Sequence, residues 1–115
     1  MIMSHRIEQI NELIRHEVSQ LMLTALELPE GCLLTITRVI TSKDLRHAKL
    51  LISIMPDKFT GTVLEILRKN IGLIQQELNQ RLSMKPLPRL SFAIDATEKE
   101  AAKIEDLLDR IKKTG

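Results

Sequence analysis

The 115-residue chain has no tryptophan, no tyrosine and only two phenylalanines. Its core must therefore be aliphatic. Stacking of bases on an aromatic platform, the common way to hold single-stranded RNA, is nearly ruled out. There is a single cysteine, Cys32, so no internal disulfide can form. It reads as a small buried thiol or as a reactive one, and it suits a reducing cytoplasm. The N-terminal stretch MIMSHRIEQI holds no long apolar run, so neither a signal peptide nor a membrane span is visible.

Motifs of catalysis are missing too. The chain has no G-x-x-x-x-G-K-[ST] loop, no G-x-G-x-x-G and no G-x-S-x-G elbow. His5, His16 and His47 do not form a metal-ligand spacing, and one cysteine cannot build a zinc cluster. The carboxylates Glu98, Glu100, Glu105, Asp106 and Asp109 are interleaved with Lys99, Lys103, Arg110 and Lys112, which reads as a solvated helix face. An enzyme, a metal site and a bound cofactor are not expected.

What is present is one domain's worth of apolar residues, 43%, and a charge that is unevenly spread. Residues 32–94 carry ten Lys/Arg against four Asp/Glu, a net +6, while the two flanks carry seven against eleven, a net −4. A basic middle between acidic flanks suits a polyanion-binding surface, or simply a solvated basic one.

Periodicity orders the elements. Ile7, Ile10, Ile14, Val18, Leu21 and Ala25 recur at steps of three and four, so an amphipathic helix capped by Ser4 is predicted to about residue 26. LPEG at 28–31 breaks it. LLTITRVIT (33–41) and RHAKLLISI (46–54) read as a strand pair joined by a short polar turn. In the first strand Leu34, Ile36 and Ile40 alternate with Thr35, Thr37 and Thr41. In the second, Ala48, Leu50, Ile52 and Ile54 face one way, with His47, Lys49, Leu51 and Ser53 on the other. Thr62–Glu65 has the form of a capping box opening a long helix to about Ser83. RLSFAID (89–95) follows as a strand with Leu90, Phe92 and Ile94 inward. TEKE (97–100) then opens a last helix with the stripe Ile104, Leu107, Leu108 and Ile111. No repeat, low-complexity segment or linker interrupts the order αββαβα. Three strands and three helices make a two-layer sandwich, right-handed in its crossover if the second and third strands are parallel.

One residue in the long helix is out of place. Val63, Leu67, Ile71, Ile74, Leu78 and Leu82 form a stripe, and Gly72 falls on the opposite face. Glycine in a helix interior costs about 1 kcal/mol against alanine. Asn70 and Arg81 project into the apolar arc, which a break near 70–72 would relieve. Gly72 then marks a helix–kink–helix with backbone exposed to a partner, or it is a tolerated surface glycine.

Taken together, VITSKDLRHAKLLISI (39–54), IGLIQQELNQRLSMKPLPRLSFAID (71–95) and the terminal amphipathic helix resemble the ribosome-binding factor A family. Val39, Ser42, Asp44, Leu45, Ala48 and Lys49 match its hairpin. Gly72, Leu73, Ile74, Leu78, Arg81 and Leu82 match its long helix, and Pro88, Leu90, Phe92 and Asp95 its last strand. The resemblance spans nearly the whole chain and rests on order and spacing. It implies an α+β fold, a single KH-like domain of the second topological type over residues 1–115, with its three-stranded sheet covered by helices. It also implies an interrupted second helix whose kink replaces the usual KH G-x-x-G loop. Here the kink would be Asn70-Ile71-Gly72, with Asn70 in place of the family's alanine. The tail that follows the last helix in some members has no counterpart within these 115 residues, so no role resting on it is expected.

The role implied by the resemblance is non-catalytic. Such a protein binds the maturing free small ribosomal subunit near its neck and decoding region. It supports late folding and end processing of small-subunit ribosomal RNA, chiefly in the cold, and an assembly GTPase releases it. A cytoplasmic location and no membrane contact go with that role. A monomer is expected because no apolar stripe is left over. The contacts would be mostly to phosphates. On the strands, the hairpin and the approach to the last strand, the candidates are Arg38, Lys43, Arg46, Lys49, Lys85 and Arg89. On the long helix they are Arg68, Lys69, Asn70, Gly72, Gln75, Gln76 and Arg81. Two rival readings stay open, a KH-like RNA-binding module not specific to ribosomes and a protein-interaction domain using the acidic flanking helices.

Overall fold

The computed structural model describes residues 2–83 and 87–96, with side chains from Arg6 onward within them. Lys85 and the predicted last helix lie outside these residues. The first helix, α1, runs Ile2–Ala25. Of its predicted stripe, Ile10, Ile14, Val18 and Leu21 are buried and Met22 joins them, whereas Ile7 is half-buried and Ala25, at the helix end, is exposed. Ser4 sits inside the helix instead of capping it. Gly31, at φ +82°, turns the chain into the first strand, a left-handed conformation that glycine adopts without steric cost.

The sheet holds β1 (Leu33–Thr41), β2 (His47–Met55) and β3 (Arg89–Ile94), with β2 in the centre. β1 and β2 are antiparallel, as a short hairpin requires, and β2 and β3 are parallel. Ala48, Leu50, Ile52 and Ile54 of β2 are all buried beneath the helices. Burying a leucine or isoleucine side chain contributes about 1.5–3 kcal/mol, so this row anchors the domain.

β1 corrects the sequence reading. The register shifts between Ile36 and Arg38, so Thr37 is an extra residue and the inward parity changes there. Ile36 is buried as predicted, but beyond the bulge Val39 and Thr41 turn inward, and Ile40, expected inside, is 47% exposed. Buried Thr41 is satisfied because its hydroxyl donates to the side-chain oxygen of Asn11 on α1. The bulged Thr37 hydroxyl lies 3.2 Å from the Leu51 carbonyl and 2.5 Å from Asp95 Oδ2, which ties β1 across β2 to the end of β3.

The second helix, α2, spans Thr60–Arg81 and buries Val63, Leu67, Ile74 and Leu78. A single 3-10 turn at Asp57–Phe59 leads directly into it. The helix therefore begins ahead of Thr62, and the Thr62–Glu65 capping box is not at its start. Glu65 instead turns to Arg68 one turn on. α2 is one helical element through Asn70, Ile71 and Gly72. The two misplaced polar residues are accommodated without an interruption: Asn70 donates from Nδ2 to the Ile66 carbonyl at 2.8 Å, and Arg81 reaches Glu17 of α1 at 3.3 Å.

Candidate nucleic-acid interface

β2 alternates strictly, so its even-numbered residues fill the core and His47, Lys49, Leu51, Ser53 and Met55 line the opposite face. Among the described residues both helices pack on the core side. No described residue covers the other face of the sheet, and Arg38, Lys49 and Arg89 are exposed on it. Their placement follows from register. Arg38 pairs with Leu51, two residues beyond Lys49; Lys49 pairs with Ser91, two residues beyond Arg89; and His47 stands directly opposite Arg89. None of Arg38, Lys49 and Arg89 has an ion-pair partner among the described residues.

The hairpin turn carries Lys43 and Arg46, both exposed. It is built by side chains whose part the turn pattern did not reveal. Ser42 Oγ donates to Asp44 Oδ1 at 2.6 Å, the Arg46 backbone N–H donates to the same oxygen at 3.1 Å, and the His47 N–H donates to Ser42 Oγ at 3.1 Å. These bonds hold Leu45 at φ +60°, a conformation that costs a non-glycine residue about 1–3 kcal/mol unless its surroundings impose it. The Asp44 carboxyl is held below the usual carboxylate range, first by the Ser42 hydroxyl and then by the Arg46 N–H. Asp44 thus stays ionised, and Arg46 Nε lies 4.0 Å from it. The signal for this was the Ser-x-Asp spacing, which places an acceptor over the turn's own amides.

The helical candidates lie elsewhere and are differently engaged. Arg68 pairs with Glu65 at 2.6 Å, and Lys69 lies 4.0 Å from the same carboxylate. Arg68 holds the Glu65 carboxyl below its ordinary value, and Glu65 raises Arg68 in return. Both cations are exposed, so the pairing is a weak, salt-screened one. Arg81 is tied to Glu17. Gln75 is turned to β3: Leu90 N–H donates to its Oε1 at 2.9 Å, and its Nε2 donates to the Pro88 carbonyl at 3.1 Å. The side-chain amide thereby stands in for one peptide unit of a fourth strand at that edge. Gln76 and Gly72 are exposed, and a Cβ added at Gly72 would meet nothing within 4 Å. Close packing is therefore not what requires the glycine. Between α2 and β3 runs a groove of about 360 Å³, with Leu64, Leu67, Ile71 and Phe92 on its walls and Arg68 and Ser91 at its rim.

The structure thus divides the candidates into two groups. Arg38, Lys49 and Arg89 share the sheet face away from α1 and α2, with Lys43 and Arg46 at the adjoining turn. Arg68, Lys69, Gln75, Gln76, Asn70, Gly72 and Arg81 belong to the helix layer. Among the described residues, no cluster of His, Cys, Asp and Glu could hold a metal ion, and no helix is long and apolar enough to cross a membrane.

Comparison with known proteins gives one consistent result. The family model for ribosome-binding factor A matches residues 6–108. A ribosome-binding factor A from Desulforamulus reducens is 34% identical over 110 residues, covering 95% of this chain and 92% of its own. The crystal structure of ribosome-binding factor A from Thermus thermophilus superposes with a TM-score of 0.67 at 19% identity, over 76% of this chain and 94% of that one. A homology model of Thermus thermophilus ribosome binding factor A, fitted into the cryo-EM map of a complex with 30S, matches with a TM-score of 0.53 at 27% identity. It covers 71% of this chain and 94% of the other.

Proposed function

This chain belongs to the ribosome-binding factor A family, and we propose that it binds the maturing free small ribosomal subunit and supports late maturation and end processing of its ribosomal RNA. The observation that carries the reading is a relative of this fold fitted into a 30S complex, joined here to a basic middle region whose cations Lys43, Arg46, Arg68 and Lys69 stand exposed on the hairpin and α2. The factor acts without catalysis, as a cytoplasmic monomer, with cold growth as the condition of greatest need. An assembly GTPase releases it. The fold is read as KH-like of the second type, with residues 1–115 as its single domain.

Contact is by phosphates and shape. Lys43 and Arg46 present charge from the hairpin, and Lys85, four positions before Arg89 in the sequence, belongs to the same proposed set. On α2 the contact group is Arg68, Lys69 and Gln76, with Gln75, Asn70 and Arg81 holding its surroundings. Gly72 leaves helix backbone uncovered there and is the position at which α2 bends on the subunit. Co-sedimentation with free small subunits, large subunits and joined ribosomes across a salt series tests this. Selective, salt-sensitive association with free small subunits is expected, and reversing Lys43, Arg46 and Lys69 to glutamate should weaken it. No preference for small subunits would refute the assembly role and favour general RNA binding. Unchanged salt dependence in the triple variant would refute the contact set.

A further inference from the structure

The three strands LLTITRVIT, HAKLLISIM and RLSFAI contain Arg38, His47, Lys49 and Arg89 and no acidic residue. Parity alone explains why these residues are outside, since the core side cannot take them. It does not explain why, among the described residues, none is paired with a carboxylate. In a sheet, opposite charges on neighbouring strands stabilise the pairing and like charges destabilise it. Here Lys49 lies diagonally between Arg38 on one neighbour and Arg89 on the other, at separations of about 7–8 Å for such positions. His47 faces Arg89 directly. Asp95, just past the end of β3, accepts a hydrogen bond from Thr37. A row of cations retained in mutual repulsion matches a polyanion crossing all three strands.

The ground between the cations is apolar. Ile40 pairs with Lys49 and is 47% exposed. Leu51 and Ala93, paired to each other, are half-buried beside Arg38. A duplex presents mainly phosphate and sugar to a flat surface, whereas an unpaired strand also offers base faces, which aliphatic side chains can cover. We infer that the face of the sheet away from α1 and α2 is a binding site for an unpaired RNA strand, its phosphates running from Arg38 over Lys49 to Arg89 and its bases resting on Ile40 and Leu51. The site is separate from the α2 contact, because α2 packs on the opposite face. It rests on the proposed function only in that both invoke RNA.

The test uses the full 115-residue protein and a variant combining Arg38→Ser, Lys49→Ser and Arg89→Ser. The probe is a fluorescein-labelled oligouridylate of about a dozen nucleotides, within the span of known single-strand site sizes. A hairpin duplex of equal nucleotide count serves as competitor. Each phosphate contact on a single strand contributes about 0.7 to the salt slope. Losing three lowers the slope by about 2, so between about 50 and 200 mM salt the wild type should lose ~20-fold more affinity than the variant. Lys58→Ser, a cation on the 3-10 turn outside the site, should behave as wild type. The variant's melting temperature should not fall, because repulsion is relieved. If the triple variant is unstable, the three single variants carry the test, each removing about a third of the slope change. An unchanged affinity and slope in the triple variant would overturn the inference, and so would a duplex that competes as well as the single strand. Co-sedimentation with small subunits is run on the same proteins. Wild type that binds the oligouridylate but not small subunits would sink the assembly role and leave this site standing. Small-subunit binding with an unaffected oligouridylate slope would do the reverse.

Discussion

Replacing Gly72 with alanine separates what the fold needs from what a partner needs. Gly72 lies within α2, is exposed, and offers open space to a Cβ. No clash and no left-handed φ oppose the substitution. Only helix propensity is left, which favours alanine by about 0.8–1.0 kcal/mol. For a 115-residue domain that corresponds to a rise in Tm of about 3–4 °C. In urea, with a slope of about 1–3 kcal/mol/M, the midpoint should move up by roughly 0.3–1 M. Thermal and urea unfolding followed by far-UV circular dichroism measure this directly. A destabilised Gly72→Ala protein would refute the claim that α2 is continuous and unobstructed at this position. The same protein should bind free small subunits more weakly than wild type, although it is more stable. Gain of stability with full binding would mean that the glycine serves no contact.

Three further outcomes follow from particular contacts. Gln75→Ala removes both bonds to β3 and leaves the Leu90 N–H at the edge unpaired; a loss of about 1–3 kcal/mol in urea unfolding is expected, with faster amide exchange at Leu90. Ser42→Ala should raise the Asp44 pKa toward about 3.9, the ordinary value, read by NMR titration of the carboxyl. Because folding lowers this pKa, its contribution is present above the unfolded value and is lost as pH falls through the folded one; an unmoved titration in the variant would contradict the hairpin bonding. Leu50, fully buried at the centre of β2, should cost about 2–5 kcal/mol when cut to alanine, and a loss below about 1 kcal/mol would mean the sheet is not packed as described.

The elements themselves were legible because their causes are local. The step of three and four in α1, the strict alternation of β2 and the inward Leu90 of β3 each depend on residues within a turn or two. The backbone period converts such patterns directly into faces. The hairpin was legible for the same reason, and so was Gly72's place on the exposed side of α2. Order and spacing over the whole chain also carried the family resemblance, since the same local patterns recur in the same sequence.

Tertiary structure decided the rest, and each case has a partner that the local pattern does not show. Ile40 faces outward because Thr37 is bulged, and the bulge is bonded to Asp95, 58 positions on. Asn70 and Arg81 need no break in α2 because one satisfies a carbonyl of its own helix and the other meets Glu17 of α1. Gln75 closes the edge of β3 with its side-chain amide, a bond across 15 positions that no helical pattern shows. The basic middle divides between two surfaces for a similar reason. Charge can be counted along a chain, but repulsion and pairing act through space, and strand register is what brings Lys49 between Arg38 and Arg89.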